Sequence, residues 1–320
     1  MKYSKINHTD LEASKIVLGT DGFGSEMPKD LSFKMLDAFI DKGGNIIDTA
    51  SFYADWLNMG KSLSEKTIGE WLYERKNRDK VIISTKGGHP RNETMHISRL
   101  SRTEIFDDFE NSLVNLKTDY IDIYWLHKDD ESIPPEELIG IMNEILETGK
   151  ARYIAVSNWA YDRIKKANDY ANAHSLKPFI ASQIQYSLAK INEGSLAKLV
   201  SAMTESEYEK YIKDDLNIFA FSSQAKGFFA QLETGGVDAI NPAARKEFLN
   251  DYNLALFDRL KKVADDKKTS VSAVILATLT SNDKLNTYAQ IGPRKLEYLF
   301  DSLRCTEFNL SNEEMNYIIG

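Results

Sequence analysis

The chain has 320 residues, a formal net charge of −8 and a single cysteine, Cys305. An acidic chain is poorly suited to bind the phosphate backbone of nucleic acids or an anionic membrane surface, and one cysteine excludes an intramolecular disulfide framework. No window approaches the roughly 18 uninterrupted apolar residues of a membrane span, and residues 1–5 lead into no apolar run. We therefore expect a cytoplasmic protein without a signal peptide.

The first elements of the chain are short. Residues 2–14 are polar and mixed, which predicts a small hairpin ahead of the main fold. Residues 16–19 form the first candidate strand, and a loop with Gly19, Gly22 and Gly24 follows. Glycines after a strand can form a phosphate-binding turn, but the spacing G-x-G-x-x-G is missing here. We interpret the segment as a loop at the end of a barrel strand.

Helical and strand-like patterns then alternate along the chain. Residues 30–42 place apolar side chains at helical spacing after Asp30, the expected N-cap, and the pattern stops at Gly43 and Gly44. Seven further apolar runs predict strands near Ile46, Val81, Ile121, Tyr153, Phe179, Ile218 and Tyr288. Amphipathic helices are predicted between them, for example at 65–75, 102–116 and 135–146.

With the strand at Ile16, the predicted strands number eight. Eight parallel strands joined by helices close into a barrel. The sequence therefore predicts one domain over residues 1–320, a (β/α)8 TIM barrel with an N-terminal hairpin. An extra C-terminal helix is predicted after residue 310, with Ser311 and Glu314 as a capping box.

Ionisable side chains stand at the ends of three consecutive strands. Asp48 ends the second strand and precedes Tyr53 by five residues, Lys86 ends the third and His127 ends the fourth. The steps from Asp48 to Lys86 and from Lys86 to His127 are 38 and 41 residues, about one strand-plus-helix unit each. All four side chains are therefore expected at one end of the barrel.

These residues and their surroundings resemble the aldo-keto reductase family. The matching segments are Asp48-Thr49-Ala50, Ser64-Glu65-x-x-Ile68-Gly69, Ser84-Thr85-Lys86, Leu126-His127, Val156-Ser157-Asn158, Phe221-Ser222-Ser223-Gln224-Ala225-x-Gly227 and Ile291-Gly292-Pro293-Arg294. They span roughly residues 15 to 315. The resemblance implies a reductase in which Tyr53 donates a proton to a substrate carbonyl and Asp48 orients Lys86. Lys86 is expected to lower the pKa of the Tyr53 phenol, and His127 to position the carbonyl.

The resemblance also implies a nicotinamide dinucleotide that lies extended across one end of the barrel. Ser157, Asn158 and Gln183 are expected to bind its carboxamide, and Phe221 to stack on the nicotinamide ring. The pyrophosphate is expected beside Ser222, Gln224 and Gly227. Arg294 is expected to face the adenosine phosphate, which together with Lys295 favours NADP over NAD. Tyr298 and Ser302 stand where the family has glutamine and asparagine contacts to adenine.

The expected substrate is a small carbonyl compound. The rim of the pocket is expected to contain Trp56, His89, Trp125 and Trp159, with Asp129 and Asp130 nearby. Indoles with carboxylates favour a sugar-like molecule. An equally good interpretation makes Trp125 a core residue and the two aspartates caps of a turn. The unusually long segment 54–63 is expected to shape the pocket. Segment 224–250 is expected to cover the cofactor, unless it is a solvated insertion.

Two other functions stay open from the sequence. Lys86 ends a barrel strand, where a lysine can form a Schiff base with substrate, as in an aldolase. A barrel of this kind can also serve as a redox-sensing subunit that binds the nicotinamide within a larger assembly. No cluster of histidine, cysteine and carboxylate residues has metal-ligand spacing, so no metal is expected. The sequence makes no prediction about the oligomeric state.

Overall fold

The structure, a computed structural model, describes residues 1–57 and 59–320. Its strands are β1 Tyr3–Lys5, β2 Glu12–Ser14, β3 Ile16–Gly19, β4 Ile46–Asp48, β5 Ile82–Gly87, β6 Ile121–Leu126, β7 Ala151–Ser157, β8 Ala181–Gln185, β9 Asn217–Phe221 and β10 Thr287–Ile291. Its helices are α1 Lys29–Asp41, α2 Leu63–Arg75, α3 Arg102–Leu116, α4 Pro135–Glu147, α5 Tyr161–Ala173, α6 Glu205–Lys213, α7 Phe228–Gly235, α8 Pro242–Phe248, α9 Asp251–Lys267, α10 Val271–Thr280, α11 Leu296–Leu303 and α12 Asn312–Ile319.

Eight of these strands form a closed parallel barrel. Their order around the ring is β10, β3, β4, β5, β6, β7, β8 and β9, so each strand pairs with its neighbour in the sequence and β10 closes onto β3. The carboxyl ends of all eight strands therefore lie at the same end of the barrel. The predicted (β/α)8 fold is confirmed.

The interior of the barrel is filled at its amino-terminal end by the hairpin. Strands β1 and β2 pair antiparallel, and the hairpin residues Ile6, Leu11 and Ala13 are buried in one cluster with barrel side chains that include Trp125 and Phe219. The hairpin closes the barrel at the end opposite to the carboxyl ends of the strands. The predicted hairpin and the C-terminal helix α12 are both present, and Ser311 and Glu314 form the expected capping box.

Several predicted boundaries are wrong by a few residues. Helix α1 begins at Lys29, after Pro28 at the N-cap position, so Asp30 lies in the first turn and does not cap the helix. Helix α2 begins at Leu63 rather than Glu65. The strand expected near Phe179 begins at Ala181. In the long segment 54–63, residues 55–57 form a short 3-10 turn and Asn58 lies outside the described residues.

Segment 224–250 is folded and packed. It contains α7 and α8, and Phe228, Phe229 and Phe248 join a buried cluster with side chains of α9 and α10. The alternative of a solvated insertion is therefore wrong. None of the helices in the described chain combines the length and hydropathy that a membrane crossing needs.

A buried charge cluster stabilises the amino-terminal end of the barrel. Asp122, at the start of β6, accepts hydrogen bonds from Arg78 at 2.7 Å, from Arg152 at 2.8 Å and from the backbone N–H of Ile83 at 2.9 Å. The carboxylate is 2% exposed, so it depends on these donors in place of water.

We predict that Asp122→Asn lowers the free energy of unfolding by roughly 2 to 3 kcal/mol, because two guanidinium groups lose their shared counter-charge. This loss is smaller than is usual for breaking a fully buried ion pair, because Arg152 is 38% exposed and water screens its charge. Urea denaturation measures the change, with the exposed Asp119→Asn as control. Equal stability of the two variants would contradict this assignment.

Candidate active site

A buried ion pair lies at the carboxyl ends of β4 and β5. The Lys86 ammonium donates hydrogen bonds to Asp48 Oδ2 at 2.5 Å, to the backbone oxygen of Thr49 at 2.7 Å and to the Tyr53 hydroxyl oxygen at 2.9 Å. Both charged side chains are fully buried. Because an ammonium has three N–H groups, each of them has one acceptor.

The direction of the bond between Lys86 and Tyr53 leaves the phenol hydrogen available. Lys86 carries only donors, so the Tyr53 oxygen accepts from it and the O–H must point elsewhere. Among the described residues its nearest acceptor is Asp48 Oδ2 at 3.5 Å, the outer limit of a hydrogen bond. The phenol is therefore placed to donate its hydrogen to a molecule beside the site.

Asp48 is held by side chains from three other strands. Its Oδ1 accepts from Ser84 and from the Gln183 amide, each at 3.0 Å. Its Oδ2 accepts from the Gln290 amide at 2.9 Å, in addition to Lys86. The strand register brings Asp48 opposite Ser84. A carboxylate with this many donors is locked in one orientation, and it locks Lys86 in turn.

Trp125 supports this network from inside the barrel. Its indole N–H donates to Ser84 Oγ at 2.6 Å, and Ser84 donates to Asp48. Trp125 is completely buried and packs against Phe219 with ring centroids 5.1 Å apart. The interpretation of Trp125 as a core residue is correct, and it does not reach the rim of a pocket.

Burial determines the protonation of Tyr53 and Lys86. Removal from water, together with the Asp48 carboxylate, raises the pKa of Tyr53 well above its usual value of 10. Burial also lowers the pKa of Lys86, against the opposing effect of Asp48. The effect of Lys86 on the acidity of the phenol stays a prediction, since burial and Asp48 dominate the pKa of Tyr53 here. Tyr53 carries its proton at neutral pH.

His127 stands beside Tyr53 in a cluster of rings. Its ring centroid lies 5.8 Å from that of Tyr53 and 4.7 Å from that of His89, and His89 stacks on Phe52 at 3.8 Å. Burial lowers the pKa of His127 well below 6.5 and that of His89 to about 4, so both rings are neutral at pH 7. The Nδ1 atom of His127 is buried and has no partner among the described residues.

The structure separates the predicted rim residues into two groups. Trp56 is 40% exposed, with its ring 6.3 Å from that of Tyr53, and His89 contacts His127, so both border the site. Trp159 does not. It is 1% exposed, packs against Phe179 and donates its indole N–H to the Lys128 carbonyl, so its prediction as a rim residue is wrong.

The two aspartates near His127, Asp129 and Asp130, accept hydrogen bonds from other residues of the protein. Asp129 accepts from Arg163 at 2.6 Å, and Asp130 accepts from the N–H and the hydroxyl of Ser132. This arrangement matches the alternative in which the pair stabilises a turn. It leaves the aspartates poorly placed to accept hydrogen bonds from a sugar.

Comparison with known proteins identifies the family of this chain. A model described as the Aldo/keto reductase family matches residues 15–319. The chain belongs to the aldo/keto reductase family. It is therefore an NAD(P)-dependent oxidoreductase that interconverts carbonyl and alcohol groups.

Individual relatives are distant in sequence. The chain is 29% identical to an uncharacterized oxidoreductase, YrpG, of Bacillus subtilis (strain 168), over 98% of this chain and 93% of that protein. It is 27% identical to an aryl-alcohol dehydrogenase (NADP+) of Phanerodontia chrysosporium, over 96% of this chain and 82% of that protein. A crystal structure of a thermostable aldo-keto reductase, Tm1743, with the inhibitor epalrestat matches with a TM-score of 0.75 and 24% identity. The match covers 100% of this chain and 99% of the other, and the two proteins have the same fold.

The residues expected around the nicotinamide of this reductase lie at the ends of β7 and β8. Asn158 is already engaged, because its Nδ2 donates to the His127 carbonyl at 3.1 Å and to Ser157 Oγ at 3.0 Å, and its Oδ1 accepts from the Ser201 N–H. Gln183 uses its amide nitrogen on Asp48. Within residues 1–57 and 59–320 its Oε1 has no donor, so this oxygen is available to a carboxamide N–H.

The backbone after β9 fits a pyrophosphate. Ser222, Ala225, Lys226 and Gly227 all have positive φ, between 49° and 79°, and Gly227 directly precedes α7. Backbone in this conformation turns its N–H groups toward a common point, and such a concavity binds anions. Phe221 ends β9 half-buried beside it. Gln224 donates to the buried Ser302, so these two predicted residues contact each other.

Arg294 lies at the end of β10, over the loop that follows β3. Its guanidinium is 3.2 Å from Asp21 and 3.4 Å from Glu26. It covers Gly22, where a Cβ atom would lie only 1.9 Å from Nη1, so a larger residue there would displace the guanidinium. Tyr298 on α11 is 52% exposed. These residues and those after β9 fit a dinucleotide that runs from β8 to β10, with its phosphates toward Arg294.

Gln290 is a site residue that the sequence interpretation missed, as are Ser84, which donates to Asp48, and Phe52, which stacks on His89. Gln290 stands on β10, contacts Asp48 and leaves its own Oε1 buried without a partner among the described residues. The signal in the sequence was a polar side chain near the carboxyl end of a predicted strand, two residues before Gly292. Nothing local indicates which side chain it meets across the barrel.

We predict that Gln290→Met lowers kcat about tenfold, because loss of one hydrogen bond to the Asp48 carboxylate loosens the ion pair. Gln290→Glu is expected to lower it further at neutral pH, since a second carboxylate then faces Asp48. Activity of this variant is expected to recover in part as the pH falls and one carboxyl takes up a proton. Steady-state kinetics from pH 5 to 8 measure the effect. Unchanged kcat in both variants would contradict a positioning role.

Proposed function

We propose that this chain is an NADP-dependent carbonyl reductase in which Tyr53 donates the proton and His127 positions the carbonyl. The observation that carries the proposal is the hydrogen bond from Lys86 to the Tyr53 oxygen at 2.9 Å, which leaves the phenol hydrogen free. When bound, the reduced nicotinamide supplies a hydride to the carbonyl carbon. The carbonyl oxygen takes the Tyr53 proton, so that a C–H and an O–H bond replace the C=O π bond.

Lys86 lowers the free energy of the charge that develops during this transfer. As the proton leaves, negative charge grows on the Tyr53 oxygen next to an ammonium that is already in place. Asp48 keeps that ammonium from moving toward the new charge or toward solvent. Burial raises the pKa of Tyr53, so the phenol carries the proton that it is to donate.

His127 has the protonation state that carbonyl binding requires. A neutral imidazole carries one N–H and can donate it to the carbonyl oxygen without competing as an acid. Burial keeps the ring neutral, and its edge contact with Tyr53 places the two donors close to each other. Two donors that converge on one oxygen orient the carbonyl for attack.

The preference for NADP is supported by Arg294 and by one relative. A guanidinium pairs well with a phosphate dianion, and the relative from Phanerodontia chrysosporium is named for NADP+. Asp21 and Glu26 hold the guanidinium in the free protein. A phosphate at this place would have to share Arg294 with them.

The wall of the site favours an aryl or apolar carbonyl over a sugar. The ring of Trp56 lies beside Tyr53, and Phe52 contacts both Trp56 and His89. Asp129 and Asp130 are engaged with protein partners. The relative's name, aryl-alcohol dehydrogenase, points to the same class of substrate.

Two alternatives receive less support. A Schiff-base lysine must lose its proton and reach the substrate, but Lys86 is fully buried with acceptors for all three N–H groups. A redox-sensing role needs cofactor binding without efficient turnover, and steady-state rates of the wild type decide it.

We predict that Tyr53→Phe lowers kcat by two to four orders of magnitude, about the contribution of a general acid, while the affinity for NADPH stays the same. Cofactor oxidation and NADPH fluorescence titration measure the two effects. Tyr73→Phe is the matched control, since Tyr73 is 72% exposed on α2. A Tyr53→Phe rate within tenfold of wild type would exclude Tyr53 as the donor.

We predict that Arg294→Met lowers kcat/KM for NADPH by about ten- to a hundredfold, the value of charge-assisted hydrogen bonds to phosphate, and changes kcat/KM for NADH little. Arg102→Met, which removes an exposed arginine on α3, is the control. Wild-type enzyme with a higher kcat/KM for NADH than for NADPH would overturn the cofactor assignment.

A further inference from the structure

A cavity opens on the side of the barrel where β5, β6 and β7 end, and Lys128, the residue after His127, is part of its lining. Its volume is about 460 Å³, and Gly88, Leu100, Lys128, Asn158 and Leu199 are among the residues that line it. Asn158 links the cavity to the candidate active site, because its side chain donates to the His127 carbonyl and it also lines the cavity. A molecule bound at Tyr53 and His127 can therefore extend into this space.

Lys128 brings an ammonium group to the cavity without an opposite charge. It directly follows His127, is 9% exposed and donates to the Leu199 carbonyl at 2.6 Å. In the described ranges 1–57 and 59–320, its other two N–H groups have no acceptor and no carboxylate lies within salt-bridge distance. A buried ammonium is unfavourable unless it is paired, so this lysine lacks an anionic partner.

The other charges around the cavity are neutralised or exposed. Arg99 pairs with Asp108 at 2.8 Å, and Asp129 pairs with Arg163 at 2.6 Å. Asp130 accepts hydrogen bonds from Ser132, while His96 and Glu131 are exposed. Lys128 is therefore the buried charge in the lining that the described part of the protein does not balance.

The cofactor does not supply the missing anion. In the ring of eight strands, β6, which leads to Lys128, lies four positions from β10, which leads to Arg294. The two cations thus stand on opposite sides of the barrel end, and the proposed phosphate contacts are on β9 and β10. An anion at Lys128 must come from a different molecule, and the cavity next to His127 makes that molecule the substrate.

The lining of the cavity mixes polar side chains with exposed apolar ones. Met95 is 43% exposed and Leu199 is 44% exposed, and both line the opening. Leu199 has a φ of 62°, a left-handed conformation that is unusual for leucine, and its carbonyl accepts the hydrogen bond from Lys128. An occupant with an apolar body and one negative group can contact Met95 and Leu199 with the body and Lys128 with the charge.

We propose that the cavity beside His127 binds the carboxylate of a carboxylated carbonyl substrate, with Lys128 as the residue that recognises it. The inference rests on the proposed carbonyl reduction, since it places the reacting carbonyl at Tyr53 and His127. It narrows the substrate class to apolar or aryl carbonyl compounds that carry a carboxylate beyond the carbonyl.

The ionisation of Lys128 gives the recognition a pH dependence. Burial and the Lys86 ammonium lower the pKa of Lys128 to about 8. Only the charged form pairs with a carboxylate, so KM for carboxylated substrates is expected to rise as the pH passes above about 8. KM for neutral substrates is expected to stay unchanged. The charged and titratable groups around Lys128 are Lys86, His89, His96, Arg99, His127, Asp129, Asp130, Glu131, Arg163 and Lys198.

The test compares 4-carboxybenzaldehyde with 4-methylbenzaldehyde in the wild type and in Lys128→Met. We expect Lys128→Met to raise KM for the carboxylated aldehyde by about ten- to a hundredfold, as for loss of a charge-assisted hydrogen bond. For the methyl compound we expect little change in KM or kcat. Lys198→Met, which removes an exposed lysine from the same rim segment, is expected to change neither.

Three outcomes would overturn the inference. The first is a wild type that shows no preference for the carboxylated aldehyde. The second is an equal loss with both aldehydes in Lys128→Met, since that indicates a purely structural role in holding the Leu199 segment. The third is an equal effect of Lys198→Met, which indicates long-range attraction rather than a binding site.

Failure of the proposed reaction would look different. If the wild type reduces neither aldehyde, carbonyl reduction of this class is excluded, and calorimetric binding of 4-carboxybenzaldehyde still tests the cavity. Binding by the wild type that Lys128→Met abolishes supports the carboxylate site. Equal binding, or no binding to either protein, overturns it.

Discussion

The ion pair between Lys86 and Asp48 is the interaction on which the rest of the site depends. Two opposite charges that are completely buried are favourable only if nearly all their hydrogen-bonding groups have partners. Lys86 meets this requirement with three acceptors, and Asp48 with donors from β5, β8 and β10. The closed ring of strands supplies these partners from directions that no local segment can reach.

The same pair sets the behaviour of Tyr53. Since the ammonium donates to the phenol oxygen, the hydroxyl hydrogen has no strong acceptor within the described protein. Burial raises the pKa of the phenol and lowers that of His127, so both are neutral donors at neutral pH. The site is thus arranged to donate hydrogen bonds to an oxygen atom that gains negative charge, and this arrangement exists before any substrate binds.

The charges around the open end of the barrel are distributed unevenly. Arg294 and the left-handed backbone after β9 lie on one side and suit the phosphates of a dinucleotide. Lys128 lies on the opposite side and lines a cavity that also has the apolar Met95 and Leu199 at its opening. The aromatic residues Phe52, Trp56 and His89 lie close to Tyr53. A substrate with an apolar body and a terminal carboxylate would be oriented by both its ends.

The sequence by itself determined the barrel, the hairpin and the positions of Asp48, Tyr53, Lys86 and His127 at one end of it. These features follow from the period of apolar residues and from the ends of strands, which are local properties. Tertiary structure alone decided that Gln290 meets Asp48, that Trp159 is buried, that Lys128 has no counter-charge among the described residues and that burial raises the pKa of Tyr53. Each of these depends on what lies across the barrel and on how much water is excluded, and neither quantity is encoded in the spacing of neighbouring residues.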